Sequence, residues 1–189
     1  MVNKENEIPE LLVINLWSGP GTGKSTILAG LYYELSRRCH KAEMIAEDPK
    51  KYGEEKTAYL RTAELHHRLE KQRGKVEFAI TDFPLPLGIY YDPSKSINLR
   101  GLAMELYKSF NNLNFYIERE PGARVGEEAL AIDKDIKNIL NSSNIPFISI
   151  PSRDPIPHIL DAISEYKCRE KLKREGDLGE YNLDPSEEI

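Results

Sequence analysis

Apolar positions along this chain come in short runs, each followed by a stretch of helical spacing. Leu11–Trp17 ("LLVINLW") is apolar except for Asn15, which predicts a central parallel strand buried on both faces. From Thr26 to Arg38 the spacing turns helical, with Leu28, Leu31, Tyr32 and Leu35 on one stripe. Ala42–Ala46 predicts a short second strand ending in Glu47-Asp48-Pro49, and Glu54–Gln72 a helix closed by Arg73-Gly74. Val76–Thr81 predicts a third strand that stops at Asp82. Phe83–Leu99, rich in Pro and Tyr, predicts irregular chain. Arg100–Phe110 predicts a helix, Phe115–Glu118 a fourth strand, Glu127–Leu140 a helix, Phe147–Ile150 a last strand and Pro157–Arg174 a closing helix. Strands alternating with helices predict an α/β domain with a five-stranded parallel sheet in the order 2-3-1-4-5.

Composition narrows the class. At 189 residues the chain suits one domain, expected over 1–174, followed by an acidic tail over 175–189. With 40% apolar and 30% charged residues it reads as an ordinary soluble domain, and no apolar run reaches the roughly 20 residues of a membrane span. The polar start "MVNKENEIPE" predicts no secretory signal, and Cys39 and Cys168 have neither metal nor framework spacing; a cytoplasmic setting with free thiols is the expectation. The net charge of −5 is concentrated in the tail, whose six acids have no Lys or Arg beside them, so that 25 acids face 26 bases in the rest. A near-neutral body argues against strong non-specific DNA binding while leaving room for a local basic groove.

The chemistry starts at the turn after the first strand, Ser18-Gly19-Pro20-Gly21-Thr22-Gly23-Lys24-Ser25-Thr26. The phosphate-loop pattern G-x-x-x-x-G-K-[ST] fits from Gly23 onward, with Ser18 at the place of the first glycine. Gly19, Gly21 and Gly23 allow the backbone to curl and aim N–H groups inward. A strand before the turn and an amphipathic helix after it are the context in which this pattern holds the phosphates of ATP. Lys24 is then expected to reach the β- and γ-phosphates, Ser25 to ligate Mg²⁺, and Thr22 and Thr26 to complete the loop.

A second oxygen for Mg²⁺ is expected at the end of a neighbouring strand, where Asp82 stands. Glu47, ending the second strand, and Asp82 are both candidates to orient an acceptor, since strand ends converge on one crevice. Arg119 and Arg124, in "IEREPGARVGEEA", predict a lid over 119–127 that closes on the γ-phosphate. The adjacent His66 and His67 point about 100° apart on a helix and are not a chelating pair. Tyr90 and Tyr91 are expected to pack, or to stack on an acceptor ring. Arg61 is either an acceptor-phosphate contact or part of a solvated helix face.

The chain resembles small P-loop kinases of the phage and bacterial type, grouped with the ribosylnicotinamide kinase domain and more loosely with thymidylate and deoxynucleoside kinases. The resemblance runs from about Leu11 to Ile150 and is carried by "SGPGTGKSTILAGLYYEL", "MIAEDPKKY", "GKVEFAITDFPL", "NNLNFYIERE" and "EEALAIDKDIKNIL". It implies a phosphate loop over Gly21–Thr26, an acid near Mg²⁺ and the acceptor at Asp82, and a lid with Arg119 and Arg124. Phe83-Pro84 after Asp82 and the short "PGARVG" lid depart from the family pattern. The implied activity is γ-phosphate transfer from ATP to a hydroxyl of a nucleoside, a nucleotide or a modified base. 5-Hydroxymethyluracil within phage DNA is included, because some phage relatives act there. A rival reading, from the ring-ATPase look of "GPGTGKST", is an ATP-driven switch or assembly factor, although the chain is short for the helical lid and sensors of such machines.

Overall fold

The run at Leu11–Trp17 becomes β1 (Leu12–Trp17), every residue of which is buried. The computed structural model describes residues 10–46, 58–90, 92, 94–122 and 124–175. In chain order β1 is followed by α1 (Lys24–Arg37), β2 (Ala42–Met44), α2 (Ala58–Glu70), β3 (Phe78–Thr81), a 3₁₀ turn (Leu85–Ile89), α3 (Ile97–Lys108), β4 (Asn111–Glu118), α4 (Glu127–Ser142), β5 (Ile148–Pro151) and α5 (Pro155–Glu175). All neighbouring strands pair in parallel, in the order β2-β3-β1-β4-β5. The α/β architecture expected from the alternation is the one observed.

The chain divides into two compact units, Met1–Ile156 and Pro157–Ile189. The described part of the second is the remainder of α5, which carries a Lys173–Glu170 ion pair at 2.8 Å and a Ser164 hydroxyl donating to the Leu160 carbonyl at 2.9 Å. The first unit holds the sheet. Its apolar cluster takes Val13 and Trp17 of β1, Leu65 and Leu69 of α2, Phe83, Leu85 and Leu87 after β3, Tyr107 of α3, and Ile136 and Leu140 of α4. Leu12, Ile14 and Leu16 alternate to the opposite face, as the pleat requires, and are equally buried. Cys39 and Cys168 are free thiols, and no helix among the described residues is long and apolar enough to cross a membrane.

Most boundaries shift by one or two residues from the sequence reading, and three differences have a plain physical reason. β4 begins at Asn111, four residues before the expected Phe115, because its asparagines are paired inside the fold. Asn112 Nδ2 donates to the carbonyls of Tyr107 and Phe110, and its Oδ1 accepts from Asn15 at 2.9 Å. Asn114 accepts from Trp17 Nε1 at 3.1 Å and donates to the Tyr107 hydroxyl at 2.7 Å and the Pro146 carbonyl at 2.9 Å. Buried amides partnered in this way carry little penalty. Secondly, Phe83–Leu99 is not wholly irregular. Leu85–Ile89 coils into a 3₁₀ turn, and α3 starts at Ile97 under the cap of Ser96, whose hydroxyl accepts from the Leu99 amide. Asp92 shapes the approach by accepting from Ser94 and from the Ser96 amide at 2.6 Å, bonds that hold its carboxyl below the usual range. Thirdly, α1 starts at Lys24 rather than Thr26, directly from the loop.

Candidate functional site

The loop between β1 and α1 is shaped by two left-handed glycines and a pair of hydroxyls. Gly21 (φ 78°) and Gly23 (φ 85°) occupy backbone space that other residues enter at a cost. Ser18, in place of a glycine, is buried and hydrogen-bonds the Thr22 hydroxyl across the turn. Gly23 ends the loop as the N-cap of α1, with no side chain to cap the first amides of the helix. Lys24 lies along the loop, its ammonium donating to the carbonyls of Ser18 at 2.7 Å and Gly19 at 2.9 Å.

β3 is hydrogen-bonded to β1 in register, Asn15 opposite Thr81, so the residue after β3 arrives beside the loop. That residue is Asp82, and the Ser25 hydroxyl donates to its Oδ2 at 2.9 Å. Two hard oxygen donors at this separation fit Mg²⁺, which takes one or two protein oxygens and completes its shell with phosphate oxygens and waters. Ser25 and Asp82, 57 positions apart in sequence, are thus brought together next to Lys24.

On the other side of β1, β4 delivers Arg119 to the same loop. Its guanidinium donates to the Pro20 carbonyl at 2.7 Å and forms an ion pair through Nε with Asp133 of α4. Asp133 Oδ1 in turn accepts from the Gly19 amide at 2.7 Å. Gly19 is required by this close approach, since a β-carbon there would run into the Asp133 carboxylate and come within 3.1 Å of Arg119 Nη2. Arg124 is exposed in the segment leading to α4. Thr26 is exposed on the first turn of α1, and Glu47 lies outside the described residues.

Asp133 is absent from the sequence reading, yet a signal for it exists. It stands at i, with Ile136 and Leu140 at i+3 and i+7, so an acid occupies the buried stripe of α4. Beside Arg119, the ends of β4 and β5 enclose a cleft of about 360 Å³ lined by Glu118, Arg119, Pro121, Ser149, Ile150 and Ser152. Within it, Glu118 accepts from Ser149 at 3.1 Å and from Lys137 at 3.0 Å.

The remaining candidates have structural surroundings. His66 is half-buried with its ring edge-on to Phe110, and His67 is exposed. Tyr90 packs against the apolar cluster, and burial raises the pKa of its hydroxyl. Tyr91 lies outside the described residues. Arg61 is half-buried on α2.

No protein-family model matches the chain, and no curated protein matches it. Solved structures do. Among them is thymidylate kinase from Ehrlichia chaffeensis, 14% identical, with a TM-score of 0.56 over 84% of this chain and 100% of that one. The chain shares its fold with that structure, a five-stranded parallel sheet in the order β2-β3-β1-β4-β5 flanked by helices. In such a fold the loop at Ser18–Thr26 lies at the carboxyl edge of a parallel sheet, outside the end of its central strand, where open α/β sheets bind ligands.

Proposed function

We propose that the protein is a kinase that transfers the γ-phosphoryl group of ATP to a hydroxyl of a nucleoside or nucleotide. The observation that carries this reading is the Ser25–Asp82 hydrogen bond at 2.9 Å beside Lys24, a metal-and-phosphate arrangement built on two adjacent strands. The loop amides and Lys24 would hold the phosphates, and Ser25 and Asp82 would hold Mg²⁺. When bound, the ion neutralises charge on the β- and γ-phosphate oxygens. Arg119 and Arg124 would bring positive charge towards the phosphates from the β4 side. The cleft at the ends of β4 and β5 is within the usual size range of ligand pockets and is the place for the base of the donor.

In the transfer, the acceptor oxygen bonds to the γ-phosphorus as the bond to the β–γ bridging oxygen breaks. ADP leaves with that electron pair, and the acceptor proton passes to a carboxylate. Asp82 or Glu47 would orient the acceptor and take the proton. The fold shared with a thymidylate kinase supports an acceptor of the nucleotide class.

The test is transfer of radiolabelled γ-phosphate from ATP to a panel of nucleosides, nucleotides and DNA containing 5-hydroxymethyluracil, with Lys24→Ala as control. Label on a small molecule supports the reading as stated. Label retained in the polymer moves the acceptor into DNA. Label released only as free phosphate, at a rate no acceptor changes, replaces the kinase with an ATP-hydrolysing switch.

A further inference from the structure

The geometry points to Asp133 as a positioning residue of the phosphate site, one that couples Arg119 to the loop. The inference rests on the reading of Ser18–Thr26 as the seat of nucleotide phosphates. One carboxylate makes contacts to two elements at once. Oδ1 accepts from the Gly19 amide at 2.7 Å and faces Arg119 Nη2 at 3.4 Å, while Oδ2 takes Arg119 Nε. The same Nη2 donates to the Pro20 carbonyl at 2.7 Å. Carboxylate, guanidinium, Pro20 carbonyl and Gly19 amide therefore close a ring. Both side chains are largely withdrawn from water, at 12% exposure for Arg119 and 15% for Asp133.

Two consequences follow from the chemistry. An arginine has many rotamers, and its planar fork is useful only in one orientation; Asp133 selects the orientation that lays it along Gly19–Gly21. A carboxylate beside a phosphate site is also unfavourable by itself, and Arg119 cancels its charge. Arg119 and Asp133 should therefore act as a unit on nucleotide affinity. Losing the arginine alone, which strands a negative charge by the phosphates, should be worse than losing both.

The experiment measures MgATP affinity by calorimetry on the full chain for wild type, D133N, D133A, R119A, the R119A/D133A double variant and K24A, with the melting temperature of each. Asparagine keeps an acceptor for the Gly19 amide but not the charge. The expected result is affinity lowered about 10-fold in D133A, more in R119A, and partly recovered in the double variant, the non-additivity expected of paired neighbours. D133N should fall between wild type and D133A. In NMR spectra without nucleotide, the Gly19 amide proton should move upfield in D133A, and a purely structural loss would not reorder the affinities. D133N and D133A both within twofold of wild type, or strictly additive losses, would overturn the proposal. Should D133A fail to fold, D133N and its double with R119A carry the same comparison. If K24A binds MgATP like wild type, the phosphate-loop reading itself fails, and that outcome is separate from failure at Asp133 alone.

Discussion

The loop side and the segment that follows Asp82 sit at the same edge of one sheet, yet they are built on different principles. Around Ser18–Thr26 the contacts are polar and directional: Lys24 to two carbonyls, Ser25 to Asp82, Asp133 to the Gly19 amide, Arg119 to Pro20. From Phe83 to Gly88 every residue is buried, and Phe83, Leu85 and Leu87 join the apolar cluster with Leu65, Leu69 and Ile136. The first region holds charge in place at the surface. The second holds shape by excluding water. Substitutions in the two regions should therefore separate activity from stability.

Lys24→Ala is the strongest test of that separation. It should lower phosphoryl transfer about 1,000-fold, the upper range for loss of one electrostatic contact to a transition state, while leaving the melting temperature close to wild type. A large drop in melting temperature would show that the loop also supports the fold. Leu87→Ala should do the reverse, costing about 3 kcal/mol of stability in denaturant titration through the lost apolar contacts and the cavity left behind. If transfer by its folded fraction falls as far as in Lys24→Ala, the two regions are not separable.

Tyr107 sharpens the stability side. Burial pushes its pKa up to about 12, while in the unfolded chain it ionises near the usual value of roughly 10. The folded state favours the neutral phenol, so its contribution is intact below pH 10 and is lost as the pH rises from 10 to 12. Denaturant titrations across that window should show wild type losing stability more steeply than Tyr107→Phe. At neutral pH that variant should be about 1 kcal/mol weaker, for want of the hydroxyl that accepts from Asn114. The smallest expected effect is Ser96→Ala, about 0.5–1 kcal/mol from the cap of α3, with transfer unchanged.

Legibility divides along the same line. The loop, Asp82 and the strand order were readable because glycines, a Lys-Ser pair and alternating runs report on local geometry within a few residues. β4 reads short in the sequence because Asn112 and Asn114 look like a polar loop until partners from β1 and the end of α3 are present. Asp133 was missed because an acid in a helix with several other acids carries no address, and only its place on the buried stripe distinguishes it. Phe83–Leu99, rich in Pro and Tyr, reads as irregular chain, and no local pattern says that Leu85–Ile89 coils into a 3₁₀ turn or that α3 starts at Ile97.

By itself, then, the sequence determined the parallel α/β class, the position of the glycine-rich loop after β1 and that of Asp82 at the end of β3, since each depends on neighbours in the chain or on the end of an adjacent strand. Only the tertiary structure decided that Arg119 lies along the loop rather than in solvent, that Asp133 binds both Arg119 and the Gly19 amide, and that the buried asparagines are satisfied. The contacts of Arg119 and Asp133 join residues 14 to 114 positions apart. Their partners are chosen by how the layers pack, and no local pattern in the chain encodes that choice.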